Sequence, residues 1–223
     1  MSLNFVFLLI LFAAFCHAGW STIVKKSGNG LAIMAMTSII EIIIFLPLVF
    51  TVPLPSTNIW FFIFATTILH GFYRYSVITS YKYGDLSFVY PIARGGSVLI
   101  IGLISLLIIE SNISVLGVIG ILLICFGLFM ISFLTTRKFN RVAFIIAITT
   151  ASLIATYTIL DGMAVRRSEN GFTFIYWMLL LNGIPMLVYA LLSKNGLRKK
   201  NSYNLIDGIV AGILAILGYG LVV

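Results

Sequence analysis

Six ionisable side chains stand inside stretches that are otherwise apolar: His17, Glu41, His70, Arg74, Arg94 and Asp161. A charge in the middle of a bilayer costs about 2.5–3.5 kcal/mol on insertion scales, so such groups face a cavity or a partner. An arginine there can grip an anion, and a carboxyl can exchange a proton. Arg94 is the first candidate for a substrate contact, because it follows Tyr90-Pro91, where a proline can loosen the backbone around a cavity. Glu41 reads as the structural partner of an arginine or as a proton-coupling site. Asp161, beside Gly162, reads as a packing, gating or coupling feature. His17 and His70 can line the site or simply hydrogen-bond a neighbouring helix. Arg74, one helical turn from His70, fits a structural pairing as well as a substrate contact. Trp20, Tyr73, Tyr81 and Tyr90 can form an aromatic pocket, although interfacial anchoring explains tyrosines near helix ends equally well.

These residues need elements to hold them. Apolar residues make up 61% of the chain and charged residues 9%, with a mean hydropathy of +1.15. A water-soluble domain carries about a quarter charged residues, so the expected fold class is all-α integral membrane. A bilayer core about 30 Å thick takes about 20 apolar residues per helix. On that scale eight segments appear, at 3–24, 31–51, 57–81, 86–109, 113–135, 142–165, 172–193 and 205–223. Gly, Pro, Asn and charged residues separate them. At 1.5 Å per residue, His17, Glu41, Arg74 and Arg94 lie about 12–15 Å from the nearest helix end and His70 about 18 Å. Five polar groups from four helices are therefore expected to converge near the midplane, with Asp161 entering about 8 Å from the opposite face.

The net charge of +8 does not describe a nucleic-acid surface, because the basic residues lie between the apolar runs. Connections 1–2, 3–4, 5–6 and 7–8 hold Lys25, Lys26, Lys82, Arg137, Lys138, Arg141, Lys194, Arg198, Lys199 and Lys200. The other side holds only Arg166 and Arg167. The positive-inside rule then puts the N-terminus outside, in a multi-pass protein of the plasma (cytoplasmic, or inner) membrane. The first segment reads as a retained helix rather than a signal peptide, since no basic residue precedes it and bulky Phe15 stands before Cys16. Cys16 and Cys125 read as buried free thiols.

Val24-Lys-Lys-Ser-Gly-Asn-Gly30 recurs as Val165-Arg-Arg-Ser-Glu-Asn-Gly171. The same register sets Glu41 against Asn182, and after a longer connection Leu69-His-Gly-Phe72 against Ile216-Leu-Gly-Tyr219. The repeat unit is thus five helices. An odd count inverts the second copy, the plan of many secondary transporters. The expected units are 1–136, a first repeat, and 137–223, an incomplete second one. Completing it would take about 60 further residues and two more helices, so the chain reads as C-terminally truncated.

His17-Ala-Gly-Trp20 with Lys25 and Lys26, the block Tyr81-Lys-Tyr-Gly-Asp-Leu-Ser-Phe-Val-Tyr-Pro-Ile-Ala-Arg-Gly95, and Tyr157-Thr-Ile-Leu-Asp-Gly162 resemble, in order, three blocks of EamA-like members of the drug/metabolite transporter superfamily. The resemblance implies ten helices in two inverted five-helix repeats and a central substrate cavity. Ser21 and Arg74 depart from its pattern. The expected function is secondary transport of a small polar metabolite, proton- or gradient-driven, with an anion suggested only by the two arginines in apolar runs. The alternative is an inactive or partner-dependent transporter fragment. A membrane-embedded enzyme is disfavoured: no HExxH or paired-carboxylate motif occurs, and no phosphate-binding GxxxxGK[ST] loop either. No cofactor or metal is expected. Expected partners are the lipid bilayer and a small-molecule substrate, a homodimer being compatible with the sequence.

Overall fold

The computed structural model describes residues 3–107, 113–135, 139–193 and 204–222. The charge-count residues Arg137, Lys138, Lys194, Arg198, Lys199 and Lys200, and Val223, lie outside the described residues. Nine α-helices are present among those described: α1 (Leu3–Lys26), α2 (Gly30–Leu48), α3 (Thr57–Tyr83), α4 (Leu86–Leu107), α5 (Val115–Thr135), α6 (Arg141–Arg167), α7 (Gly171–Asn182), α8 (Ile184–Leu192) and α9 (Leu205–Gly220). A short 3₁₀ turn, Val49–Thr51, extends α2. Helices are what a bilayer permits, because each backbone polar group finds its partner within the segment. Seven stretches are long and apolar enough to cross a membrane, α7 and α8 counting together as one. The 16-residue α9 is a shorter apolar helix. The protein is therefore an all-helical, multi-pass membrane protein. Its exposed large side chains agree, since Leu116, Leu123 and Phe126 on α5 and Phe7, Leu8 and Phe15 on α1 would be unfavourable against water.

The seventh segment differs from its sequence reading: it is two helices, not one. Pro185 has no N–H to give the Leu181 carbonyl. The Gly183 N–H turns to that carbonyl instead, and α8 restarts with proline in its first turn. The signal, Gly183-x-Pro185, was present in the sequence.

Contacts divide the chain into two compact units that do not follow the 1–136 and 137–223 division. The first comprises residues 1–71 and 160–223. Its apolar core joins Phe45, Ile59, Phe62 and Ile63 to Ala164, Phe174, Met178 and Leu179. Glycines let its helices approach closely. A methyl on Gly183 would lie 2.9 Å from Cα of Ser38, and one on Gly212 would lie 2.8 Å from Cβ of Ile40. Gly19 faces Leu214, and Gly218 faces His17. The α2 helix runs antiparallel to α7, since Ser38 meets Gly183 and Phe45 meets Tyr176 at 5.7 Å between ring centroids. Trp60 of α3 meets Trp177 of α7 edge-on at 5.0 Å.

The two copies of the recurring heptapeptide fold alike. Each ends one helix on the second basic residue, Lys26 or Arg167, and starts the next on glycine, Gly30 or Gly171. In each the asparagine caps the new helix: Asn29 accepts from the Ala32 N–H at 3.2 Å, and Asn170 from the Phe172 N–H at 3.0 Å.

The second unit comprises residues 72–159. The α5 helix holds α4 at two points: the Ser132 hydroxyl donates to the Phe88 carbonyl at 2.7 Å, and the Cys125 thiol to the Gly95 carbonyl at 3.3 Å. Cys16 and Cys125 are both free and buried. Gly96 of α4 lies against Ala151 of α6, and Ser76 shares a 2.6 Å hydrogen bond with Thr150.

If backbone proximity at glycine sets the first unit's stability, Gly183→Ala and Gly212→Ala should each cost about 1–3 kcal/mol. Gly120→Ala, with nothing within 4 Å of the added methyl, should cost none. Size-exclusion profiles of detergent-purified variants after graded heating would show earlier loss of the monodisperse peak for the first two alone.

Candidate functional site

In the second unit, α4 presents Arg94 three residues after Pro91. Pro91 removes the donor for the Ser87 carbonyl, and the Ser132 and Cys125 bonds flank this stretch of α4. The guanidinium lies over the Tyr90 ring, 5.6 Å from its centroid. It also interacts electrostatically with the phenols of Tyr73, Tyr157 and Tyr81. Tyr73 and Tyr157 meet edge to face at 5.4 Å. Arg74, buried beside Tyr73, adds a second positive charge. Nη2 of Arg94 is buried and makes no hydrogen bond among the described residues. The arrangement leaves a cation set against the Tyr90 ring face with a donor still to offer. A carboxylate or phosphate oxygen is the complementary group.

The first unit gathers the other predicted residues. Asp161, 1% exposed, accepts a hydrogen bond from the Tyr219 hydroxyl at 2.5 Å. The His70 ring stands edge-on to Tyr219 at 5.4 Å. Nδ1 of His70 lies 2.9 Å from the Thr66 carbonyl, so that nitrogen carries the proton, because a carbonyl only accepts. His17 packs on Gly218, next to Tyr219, and Trp20 is buried one turn further along α1. Glu41, 1% exposed, sits on α2 one turn from Ser38, which faces the Gly183 break. Asn182, 2% exposed, ends α7 at that break, with its Oδ1 accepting no hydrogen bond among the described residues.

The predicted residues thus fall into two sets: Arg74, Tyr90 and Arg94 in one unit, and His17, Trp20, Glu41, His70 and Asp161 in the other. Two contributors have no site reading from the sequence. Tyr157 appears there only as part of a block, and Tyr219 only as a repeat match. Tyr81, which interfacial anchoring explains well from sequence, is buried, whereas Tyr83, read the same way, is exposed. Helical spacing held a partial signal, since Tyr73, Tyr81 and Tyr157 each interrupt apolar runs. Among the described residues no three of His, Cys, Asp and Glu come together as a metal ion would require.

Because α4 carries an internal proline and is laced to α5, Ser132→Ala should loosen the support of Arg94. The expected loss is about 1 kcal/mol, the net worth of one hydrogen bond. Chemical unfolding of the purified variant would detect it, and Ser132→Thr should restore part of it.

No protein-family model, curated protein or solved structure matches the chain, so its function is read from the chemistry of its own residues.

Proposed function

We propose that the chain is a secondary transporter of a small polar anion, built on the EamA-like plan of inverted repeats, with Arg94 as the substrate-binding cation. The observation that carries this reading is Arg94 itself: a buried guanidinium nitrogen with no hydrogen bond among the described residues, inside a helix long enough to span a bilayer. Lipid would not leave such a donor unsatisfied at no cost; a substrate anion would satisfy it.

Two features support the inverted-repeat reading. The recurring heptapeptide makes the same helix end, asparagine cap and helix start in both copies. The packing in the first unit is reciprocal. The α9 helix lies on α1 and α2, which open the first sequence repeat. The α3 helix packs on α6 and α7, which open the second: the core joins Ile59 and Phe62 to Ala164 and Phe174, and Arg167 lies over the Phe62 ring at 5.3 Å. Exchange of this kind is expected when two inverted units interlock. The helix break at Gly183, in the middle of the span 171–192, is of the sort that transporters place near their substrate. We assign the protein to the plasma membrane with its N-terminus outside, on the excess of lysine and arginine in alternate connections.

The test is uptake into proteoliposomes of radiolabelled lactate, citrate, glutamate and phosphate, offered in turn. Saturable uptake of at least one is expected. Arg94→Ala should weaken its apparent affinity about 10- to 100-fold, the worth of one charged hydrogen bond. Arg94→Lys should retain part of it, keeping the charge but losing the planar fork. Unchanged affinity in Arg94→Ala would remove Arg94 from the substrate site.

A further inference from the structure

Asp161 is the buried acid whose surroundings are best defined. It lies six residues before the end of α6, about 9 Å along the helix axis, on the side marked by Arg166 and Arg167. The groups around it come from three further helices. From α9, Tyr219 donates to Oδ2. From α3, the Thr66 hydroxyl faces the carboxyl while bonding the Ile63 carbonyl at 3.3 Å, and the His70 ring stands against Tyr219. From α1, His17 reaches Gly218. On α6 itself the exposed Arg166 folds back to Gly162, with guanidinium nitrogens 3.4 and 3.7 Å from where a methyl on that glycine would lie. Oδ1 of Asp161 accepts no hydrogen bond of ordinary geometry among the described residues.

A permanent structural carboxylate would have both oxygens supplied with donors or an opposite charge beside it. Asp161 instead has one oxygen fixed by a neutral phenol, and the only other donor facing the carboxyl among the described residues is the Thr66 hydroxyl, itself already bonded to the Ile63 carbonyl. That division suits a carboxyl that changes its protonation state. Tyr219 fixes the orientation through Oδ2 in both states, and the proton comes and goes at Oδ1. When the proton is on, the group is neutral and suits a dry environment. When it leaves to water, the carboxylate needs solvent or a cation, and the nearest on its own helix is Arg166, five residues on.

We propose that Asp161 carries the coupling proton of the transport cycle, with Tyr219 as the positioning residue that holds its carboxyl. This rests on the transport reading above and adds to it the residue that carries the coupling proton.

Two measurements test it. The first needs no substrate. Infrared difference spectra of the purified protein between acid and alkaline pH should contain a carboxylic C=O band that is absent in Asp161→Asn. The band should shift in Tyr219→Phe, which deletes the hydrogen bond to Oδ2, and persist in His70→Gln. A spectrum unchanged in Asp161→Asn would overturn the proposal. The second uses vesicles and whichever of the four radiolabelled anions the wild-type protein takes up. Asp161→Asn should lose accumulation driven by a pH gradient yet keep exchange of labelled for unlabelled anion, which also shows that the variant is folded. Gradient-driven accumulation intact in Asp161→Asn would overturn the coupling role alone. If the band titrates but wild-type vesicles move none of the four anions, the transport reading fails and the coupling role with it.

Discussion

In hydrocarbon there is no water to complete a hydrogen bond, so every polar atom must find a partner within the protein or from what the protein binds. That constraint shapes both the helices and the gaps between them. Apolar side chains gain nothing by leaving lipid for another helix. Association therefore depends on close packing and on shared polar contacts. Gly183 against Ser38, Gly208 against Met36 and Gly212 against Ile40 supply the first. Ser132 to the Phe88 carbonyl, Ser76 to Thr150 and Tyr219 to Asp161 supply the second.

The same constraint explains the prolines. Within a span, a proline frees a carbonyl that lipid cannot satisfy, and it is tolerated only where other protein groups or a cavity attend to it. Pro91 sits on a helix tied by Ser132 and Cys125 on either side of it, and the residue displayed just beyond is Arg94. Pro185 sits where α7 gives way to α8, with Gly183 pressed on α2 and Asn182 and Glu41 buried nearby in sequence and on the facing helix. In each case a local defect in the helix coincides with the polar residues that could do chemistry.

How much of this was legible beforehand differs by feature. Span positions followed from hydropathy, and helix ends at Lys26 and Arg167 fell within a few residues of the reading, because apolar length and breaker residues are local properties. The break in the seventh segment was missed although Gly183-x-Pro185 was in view: a 22-residue apolar run outweighs two residues when only average hydropathy is weighed. The identity of the buried charges was also legible, since any ionisable residue in an apolar run announces itself. Their partners were not. Tyr157 reaches Arg94, and Tyr219 reaches Asp161, from 58 or more residues away in the chain. No local pattern carries that pairing, and tyrosine is too common near membrane interfaces to mark it. The repeat pointed to equivalent positions, not to which of them would touch.

What the buried charges are paired with bears on function more directly than that they are buried. Arg94 could have been matched with a carboxylate, and Asp161 with a lysine or arginine. An opposite charge at such a site forms a closed pair, and breaking it to admit a ligand leaves the partner exposed to the full cost of an unpaired charge. Both residues are instead met by phenols. A tyrosine offers a ring face to a cation and a hydroxyl to a carboxylate, so it lowers the cost of the charge without cancelling it. Tyr90 does the first for Arg94, and Tyr219 does the second for Asp161. A charge held this way can still be neutralised from outside, by an anion at the arginine and by a proton at the carboxyl. Each of those events is reversible, because among the described residues neither group has a salt bridge that must be broken first. Sites meant only for stability have no need of that property, whereas a cycle of loading and release depends on it.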